Sequence, residues 1–137
     1  MGKATNVRNY AGIPVEIIGQ KYNLLLTMLG NDYLEDQFGS PTAALTKYND
    51  MITQINKTGM DKDCRDILIH FIYASIIHNQ FDNQGNIIRE IPGFFEIKST
   101  LGQNDLLKLL QSMTAAQNAS FPDPKEGQEE KEGNFQK

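Results

Sequence analysis

The sequence predicts a mainly α-helical protein in which an N-terminal β-hairpin packs on a compact bundle of about four to five helices. Three observations predict it. Residues 13–26 hold two β-prone runs around a glycine-containing pair. From residue 28 onward, apolar side chains recur at three- and four-residue steps between helix caps and glycine stops. After residue 121 the apolar content almost vanishes. With 137 residues, one folding unit is expected, and a chain of this length buries roughly two-thirds of its unfolded surface without disulfide staples. The expected division is a flexible N-terminus over 1–12, a single globular domain over 13–121 and a disordered acidic tail over 122–137.

The first strand is expected over Ile13–Ile18, the turn at Gly19-Gln20 and the second strand over Lys21–Leu26. Pro14 lies near the start of the first strand, where a missing N–H is tolerated at an edge. Two strands alone are marginal in water, so the hairpin must pack on the helices. From Met28 the period changes: Met28, Leu34 and Phe38 share one helical side, Asp32, Glu35 and Asp36 point elsewhere, and Gly39 is a left-handed stop. Ser40-Pro41 supplies a cap and a first-turn proline. Ala44, Leu45, Tyr48, Met51, Ile52 and Ile55 then form one stripe expected to be buried, and Gly59 ends that helix.

Asp61 is the next candidate cap, with Asp63 and Asp66 near the same positive helix end. The helix expected to run to about Asn79 is apolar on most sides through Ile67, Leu68, Ile69, Phe71, Ile72, Tyr73, Ile76 and Ile77. It is either the central core helix or one face of an oligomer interface, and its all-round apolarity leads to an expectation of self-association. Asp82-Asn83-Gln84-Gly85-Asn86 is a turn by composition. Ile91-Pro92-Gly93 interrupts the ambiguous stretch 87–101, in which Phe94-Phe95-Glu96-Ile97 opens a short helix. Gln103 or Asn104 caps a last helix whose apolar residues are Leu106, Leu107, Leu109, Leu110 and Met113.

Composition narrows the function classes. The formal charge is −4, and residues 122–137 hold five acids against three lysines, or −2, leaving −2 on the rest. Neither part offers the basic surface that phosphate neutralisation demands, so no nucleic-acid partner is expected. The polar first residues carry no apolar run, so no secretory signal is read there, and no segment is long enough to span a bilayer; no membrane partner is expected. A single cysteine, Cys64, points to a reducing compartment and to an ordinary helix cysteine. His70 and His78 stand eight residues apart, about 12 Å along a helix, too far to share a metal ion. The 82–86 turn has its glycine and acids at the wrong positions for a calcium loop. Phosphate loops, nucleophile elbows and cysteine pairs are missing from the sequence, so neither catalysis nor a cofactor or metal is expected.

Candidate interaction residues are therefore apolar. Ile69, Ile72, Tyr73 and Ile76 come from the apolar helix; Phe81, Phe94, Phe95, Phe121 and Phe135 come from loops or the tail. Phenylalanines in such places either cap the core or await a partner.

Taken in order, Gly19-Gln20-Lys21-Tyr22-Asn23-Leu24 and Leu34-Glu35-x-x-Phe38-Gly39 resemble the opening of the tail assembly chaperones of long-tailed bacteriophages, in the shorter product of the lambda type. In that family a hairpin reading like Gly-Lys-x-Tyr precedes a helix ending in Leu-Glu-x-x-Phe-Gly. A strongly apolar helix then matches Ile67–Ile77, and a helical pair with a charged C-terminal end matches Leu101–Lys137. The chain departs at Gln20, where Lys or Arg is frequent, and at Pro92-Gly93. The resemblance implies a non-catalytic protein of the host cell cytoplasm, absent from the mature virion. It implies binding to the tape measure protein, which is kept soluble, and recruitment of the tail tube protein through a frameshifted longer form. Two other readings fit the same composition: a small phage-encoded helical adaptor binding a host protein, and a minor structural protein of the virion.

Overall fold

Pro14 sets the register of the hairpin. In the computed structural model, which describes residues 12–120, β1 (Ile13–Ile17) and β2 (Gln20–Leu24) pair antiparallel, with Ile17 opposite Gln20, Val15 opposite Tyr22 and Pro14 opposite Asn23. The turn is Ile18-Gly19, both at positive φ (51° and 75°), the signature of the type I′ turns that match strand twist. This corrects the expected Gly19-Gln20 by one residue, and the second strand also ends two residues earlier than expected. The reason lies in the ladder. The pair flanking a two-residue turn is hydrogen-bonded, and bonded and non-bonded pairs alternate from there. A turn at Gly19-Gln20 would place Pro14 in a bonded pair, which its missing N–H cannot complete; the observed turn places it in a non-bonded one. Ile18 accepts a left-handed backbone that costs a β-branched residue roughly 1–2 kcal/mol, and its side chain packs against the core in return.

Alternation then sends Ile13, Val15, Ile17, Tyr22 and Leu24 inward, against α3 and α5 (defined below). The outer edge of β2 is closed by a side chain. Asn79 Oδ1 accepts the Asn23 N–H at 3.1 Å, and its Nδ2 donates to the Asn23 carbonyl at 2.9 Å, the two bonds a further strand would make. His78 Nε2 lies 2.8 Å from the same carbonyl. Leu25 donates its N–H to the Ser75 carbonyl at 3.0 Å, which fixes the exit from the hairpin to the same helix end.

Five α-helices follow among the described residues: α1 (Met28–Phe38), α2 (Pro41–Thr58), α3 (Lys62–Ile76), α4 (Phe94–Thr100) and α5 (Gln103–Ser120). From the end of α1 to the start of α3 the caps and stops are those the sequence announces. Ser40 Oγ accepts from the Ala43 N–H at 3.0 Å, Asp61 Oδ1 accepts from the Cys64 N–H at 2.9 Å, and glycines 39 and 59 close α1 and α2. At α5, Asp105 in the first turn accepts from the Gly102 N–H at 3.0 Å, a bond made by neither Gln103 nor Asn104. The expected helix to Asn79 stops being α-helical at Ile76 and tightens into a 3₁₀ turn over Ile77–Gln80, from which Asn79 reaches β2. The 82–86 turn is an Asx turn: Asp82 Oδ1 accepts from the N–H groups of Gln84 and Asn86, both at 2.9 Å.

The α3 helix is the central element, contacted by α1, α2, α4, α5 and β2. Leu68, Ile69, Phe71, Ile72, Ala74 and Ile76 are buried within the domain, which accounts for the apolar surface of this helix on most sides. Small residues let α1 come close. A Cβ on Gly30 would lie 2.3 Å from the Ala74 carbonyl oxygen. Two expected core residues are instead on the surface: Met28 is 72% exposed and Leu45 48%. Met28 occupies the first turn of α1, on the side of Asn31 and away from Leu34. Leu45 lies one helical step round from the buried Ala44, beyond what α3 covers. Leu107 is likewise exposed while Leu106, Leu109 and Met113 are buried. The expected tail and most of the expected flexible N-terminus lie outside the described residues.

Candidate functional site

An open apolar groove of about 300 Å³ lies between α1 and α2. Leu34, Ala44 and Phe71, each buried in the core, make its floor; Leu26, Leu45 and Pro41 rise beside them, with Asn31 and Thr42 at the edge. Asn31 donates to the Sδ of exposed Met28 at 3.9 Å. Glu35 follows Asn31 by one helical turn and Asp32 follows Met28 by one turn, both exposed. The lining residues include no titratable group. The groove therefore offers shape and apolar surface, at the lower end of the roughly 300–1,000 Å³ typical of ligand clefts. A larger cleft of about 580 Å³, between the hairpin and α5, mixes Val15, Ile18 and Leu109 with Glu16, Asp105 and Lys108.

The structure sorts the candidate interaction residues. Ile69, Ile72 and Ile76 are 0–1% exposed and belong to the core of the domain itself, so they present nothing to a partner. Tyr73 is half-buried, its ring 4.8 Å from that of Tyr33. Phe81 is half-buried and pairs with Ile87 through an isolated β-bridge. Phe94 is half-buried against His70, whereas Phe95, next to it on α4, is 76% exposed. Phe121 and Phe135 lie outside the described residues. The groove itself was not anticipated. Its signal is the adjacent pair Ala44-Leu45, which widens the α2 stripe beyond the side that one core can cover.

A set of titratable groups surrounds His70. Tyr33 Oη lies 2.8 Å from His70 Nδ1, the Phe94 ring stacks on the imidazole at 4.3 Å, and Phe38 meets it edge-on at 5.6 Å. Asp66, one turn earlier on α3, pairs with Lys98 of α4 at 2.7 Å and with Lys62 at 3.7 Å. Burial first, and Tyr73 second, push the Tyr33 phenol up to about 12, so it keeps its proton at neutral pH. Burial lowers the His70 pKa; Asp66 opposes that and Lys98 adds to it. With one nitrogen taken by Tyr33, Phe94 stacked on the ring and Phe38 perpendicular to it, His70 ties α1 and α4 to α3.

A pH dependence follows. A histidine whose folded pKa lies below its unfolded value of about 6.5 contributes stability present in full above that value and lost as pH falls through the folded pKa. Thermal melts of the native chain are expected to fall between pH 7.5 and pH 5, and His70→Gln is expected to flatten that part of the curve. Parallel curves for the two proteins would show that His70 is not responsible.

Cys64 is buried, and burial raises its thiol, which keeps it protonated. Among the described residues, no group of three or more His, Cys, Asp or Glu side chains is placed to hold a metal ion, and no helix is long and apolar enough to cross a membrane. Fold and site together define a small helical domain with an N-terminal hairpin and a surface groove built for apolar contact. Compared with family models, curated proteins and solved structures, the chain matches none of them.

Proposed function

We propose that this chain is a non-catalytic chaperone that holds helical segments of a long partner polypeptide, in the manner of a bacteriophage tail assembly chaperone. In this reading it binds the tape measure protein in the host cytoplasm, keeps it soluble, and helps to recruit tail tube subunits before leaving the assembled particle. The α1–α2 groove carries the reading. A preformed apolar trough whose floor is locked into the core, with an exposed leucine in its wall, suits the apolar stripe of an amphipathic helix. One such trough binds weakly, and many copies arrayed along one long helical chain bind strongly. The motif behind the resemblance also builds this place: Leu34 floors the groove, Glu35 flanks it, and Phe38 and Gly39 finish the helix that forms one wall.

Co-expression tests the reading. A tape measure polypeptide that is insoluble alone is expected to become soluble and to co-purify with this chain, while mass spectrometry of finished particles finds the chain missing. A partner that stays insoluble and unaccompanied would overturn the chaperone reading. Recovery of the chain from purified virions would favour a structural protein instead.

A further inference from the structure

We infer that the outer edge of β1 takes an extended segment of a partner polypeptide as a third strand, with a lysine or arginine of that segment opposite Glu16. The two edges of the hairpin are finished differently. Along β2 the outward backbone groups are met by side chains. Asn79 satisfies both groups of Asn23, and Arg89 donates to the Lys21 carbonyl at 3.1 Å with its guanidinium over the Tyr22 ring. On β1 the residues in non-bonded pairs are Pro14 and Glu16, so their backbone groups point away from β2. Among the described residues, nothing bonds the Glu16 N–H, the Glu16 carbonyl or the Pro14 carbonyl. These groups open onto the cleft of about 580 Å³ between the hairpin and α5, which shares no lining residue with the α1–α2 groove. One donor and two acceptors along an extended edge recognise the backbone of another strand.

The cleft sets the occupant's side chains. Glu16 is exposed and makes no ion pair with a described residue. Together with Asp105 and Lys108 it leaves the cleft one net negative charge. Directly across an added strand an opposite charge is favourable and a like charge unfavourable. The two neighbours of the occupant's basic residue turn to the other face, where Val15 and Leu109 line the cleft, and are apolar. A second copy of this chain is disfavoured. Two β1 edges related by a two-fold axis run antiparallel, so pairing Glu16 with its counterpart sets two carboxylates face to face. Pairing it with Pro14 of the other copy loses the bond to the missing N–H. Residues 122–137, with five acids and two prolines, meet the same two objections. Residues 1–11 carry Lys3 and Arg8, and the test includes them.

The test uses the full chain and a peptide with blocked ends, Thr-Val-Lys-Val-Thr. It is compared with a glutamate-centred version and with one N-methylated at the lysine, which keeps every side chain and loses the central N–H. In the free chain the Glu16 amide is expected to exchange fast while that of Val15, inside the ladder, is protected, and the lysine peptide is expected to slow exchange at Glu16. In an NMR titration at low salt, the lysine peptide is expected to bind about threefold tighter or more than the glutamate one. N-methylation is expected to weaken it about tenfold. E16P removes the outward N–H at a position that, like Pro14, makes no ladder bond, and is expected to lose the peptide. Should E16P fail to fold, the N-methylated peptide decides the same point on the native chain. E16K is expected to prefer the glutamate peptide. A Glu16 amide already protected in the free chain would overturn the inference. Protection that grows with protein concentration would assign the edge to a second copy, and protection that does not would assign it to residues 1–11 or 122–137. Binding of no peptide, equal binding of the N-methylated one, or an unchanged preference in E16K would overturn it as well.

Discussion

Gly30→Ala is expected to lower the melting temperature by roughly 10 °C, although alanine is the better helix former. At an exposed helical position the exchange would stabilise by about 1 kcal/mol. Here the added methyl would sit 2.3 Å from the Ala74 carbonyl oxygen and 2.9 Å from Leu26 Cδ1. The Leu26 side chain can turn aside. The carbonyl cannot, since it belongs to the backbone of the central helix, and α1 must move outward instead. Such overpacking typically costs about 1–3 kcal/mol and occasionally more, enough to outweigh the propensity gain. Because α1 forms one wall of the groove, partner binding there is expected to fall with stability. Differential scanning calorimetry decides the matter, and a melting temperature at or above that of the native chain would show that α1 and α3 are not in close contact.

Asn79→Ala is expected to cost about 2–3 kcal/mol, read as a shift of the denaturation midpoint with an unchanged slope. The carboxamide makes three bonds at once: it accepts from the Asn23 N–H and donates to the carbonyls of Asn23 and Ile76. Truncation removes all three and leaves the Asn23 N–H at a strand edge without its acceptor. His78 still reaches the Asn23 carbonyl, so the N–H is the group that suffers. Hydrogen exchange offers the specific readout. The Asn23 amide is expected to lose protection while the amides of Val15 and Tyr22, inside the ladder, change only with global stability. An Asn23 amide as protected as in the native chain would show that the hairpin is held by its apolar face alone.

Much of this architecture is legible residue by residue. Ser40-Pro41, Asp61, Gly39 and Gly59 announce helix ends because capping and left-handed stops depend on local chemistry. The Asx turn at Asp82 is legible for the same reason. The short helix opening at Phe94 follows from Pro92-Gly93, which ends whatever precedes it. What fails in the sequence is anything that depends on how much of an apolar surface the neighbours cover. Leu45 belongs to an apolar pattern as good as that of Tyr48, and only the position of α3 leaves it exposed, whereas Met28 lies on the side of Asn31, away from Leu34. The apolar sides of Ile69, Ile72 and Ile76 are as suggestive of a partner as of a core, and five packed elements decide for the core. The groove needed two helices to be placed before its walls existed at all.

The sequence by itself determined the hairpin, the succession of helices and their ends, because these follow from backbone preferences acting over four or five residues. It also held, in Pro14, the reason for a register that differs by one residue from the expected turn. Tertiary structure alone decided which apolar residues remain on the surface, how closely α1 approaches α3, and that Asn79 stands in for a missing strand. Those outcomes depend on packing between residues as far apart as Asn23 and Asn79, where local preference carries no information and solvent exclusion is set by the whole assembly of elements.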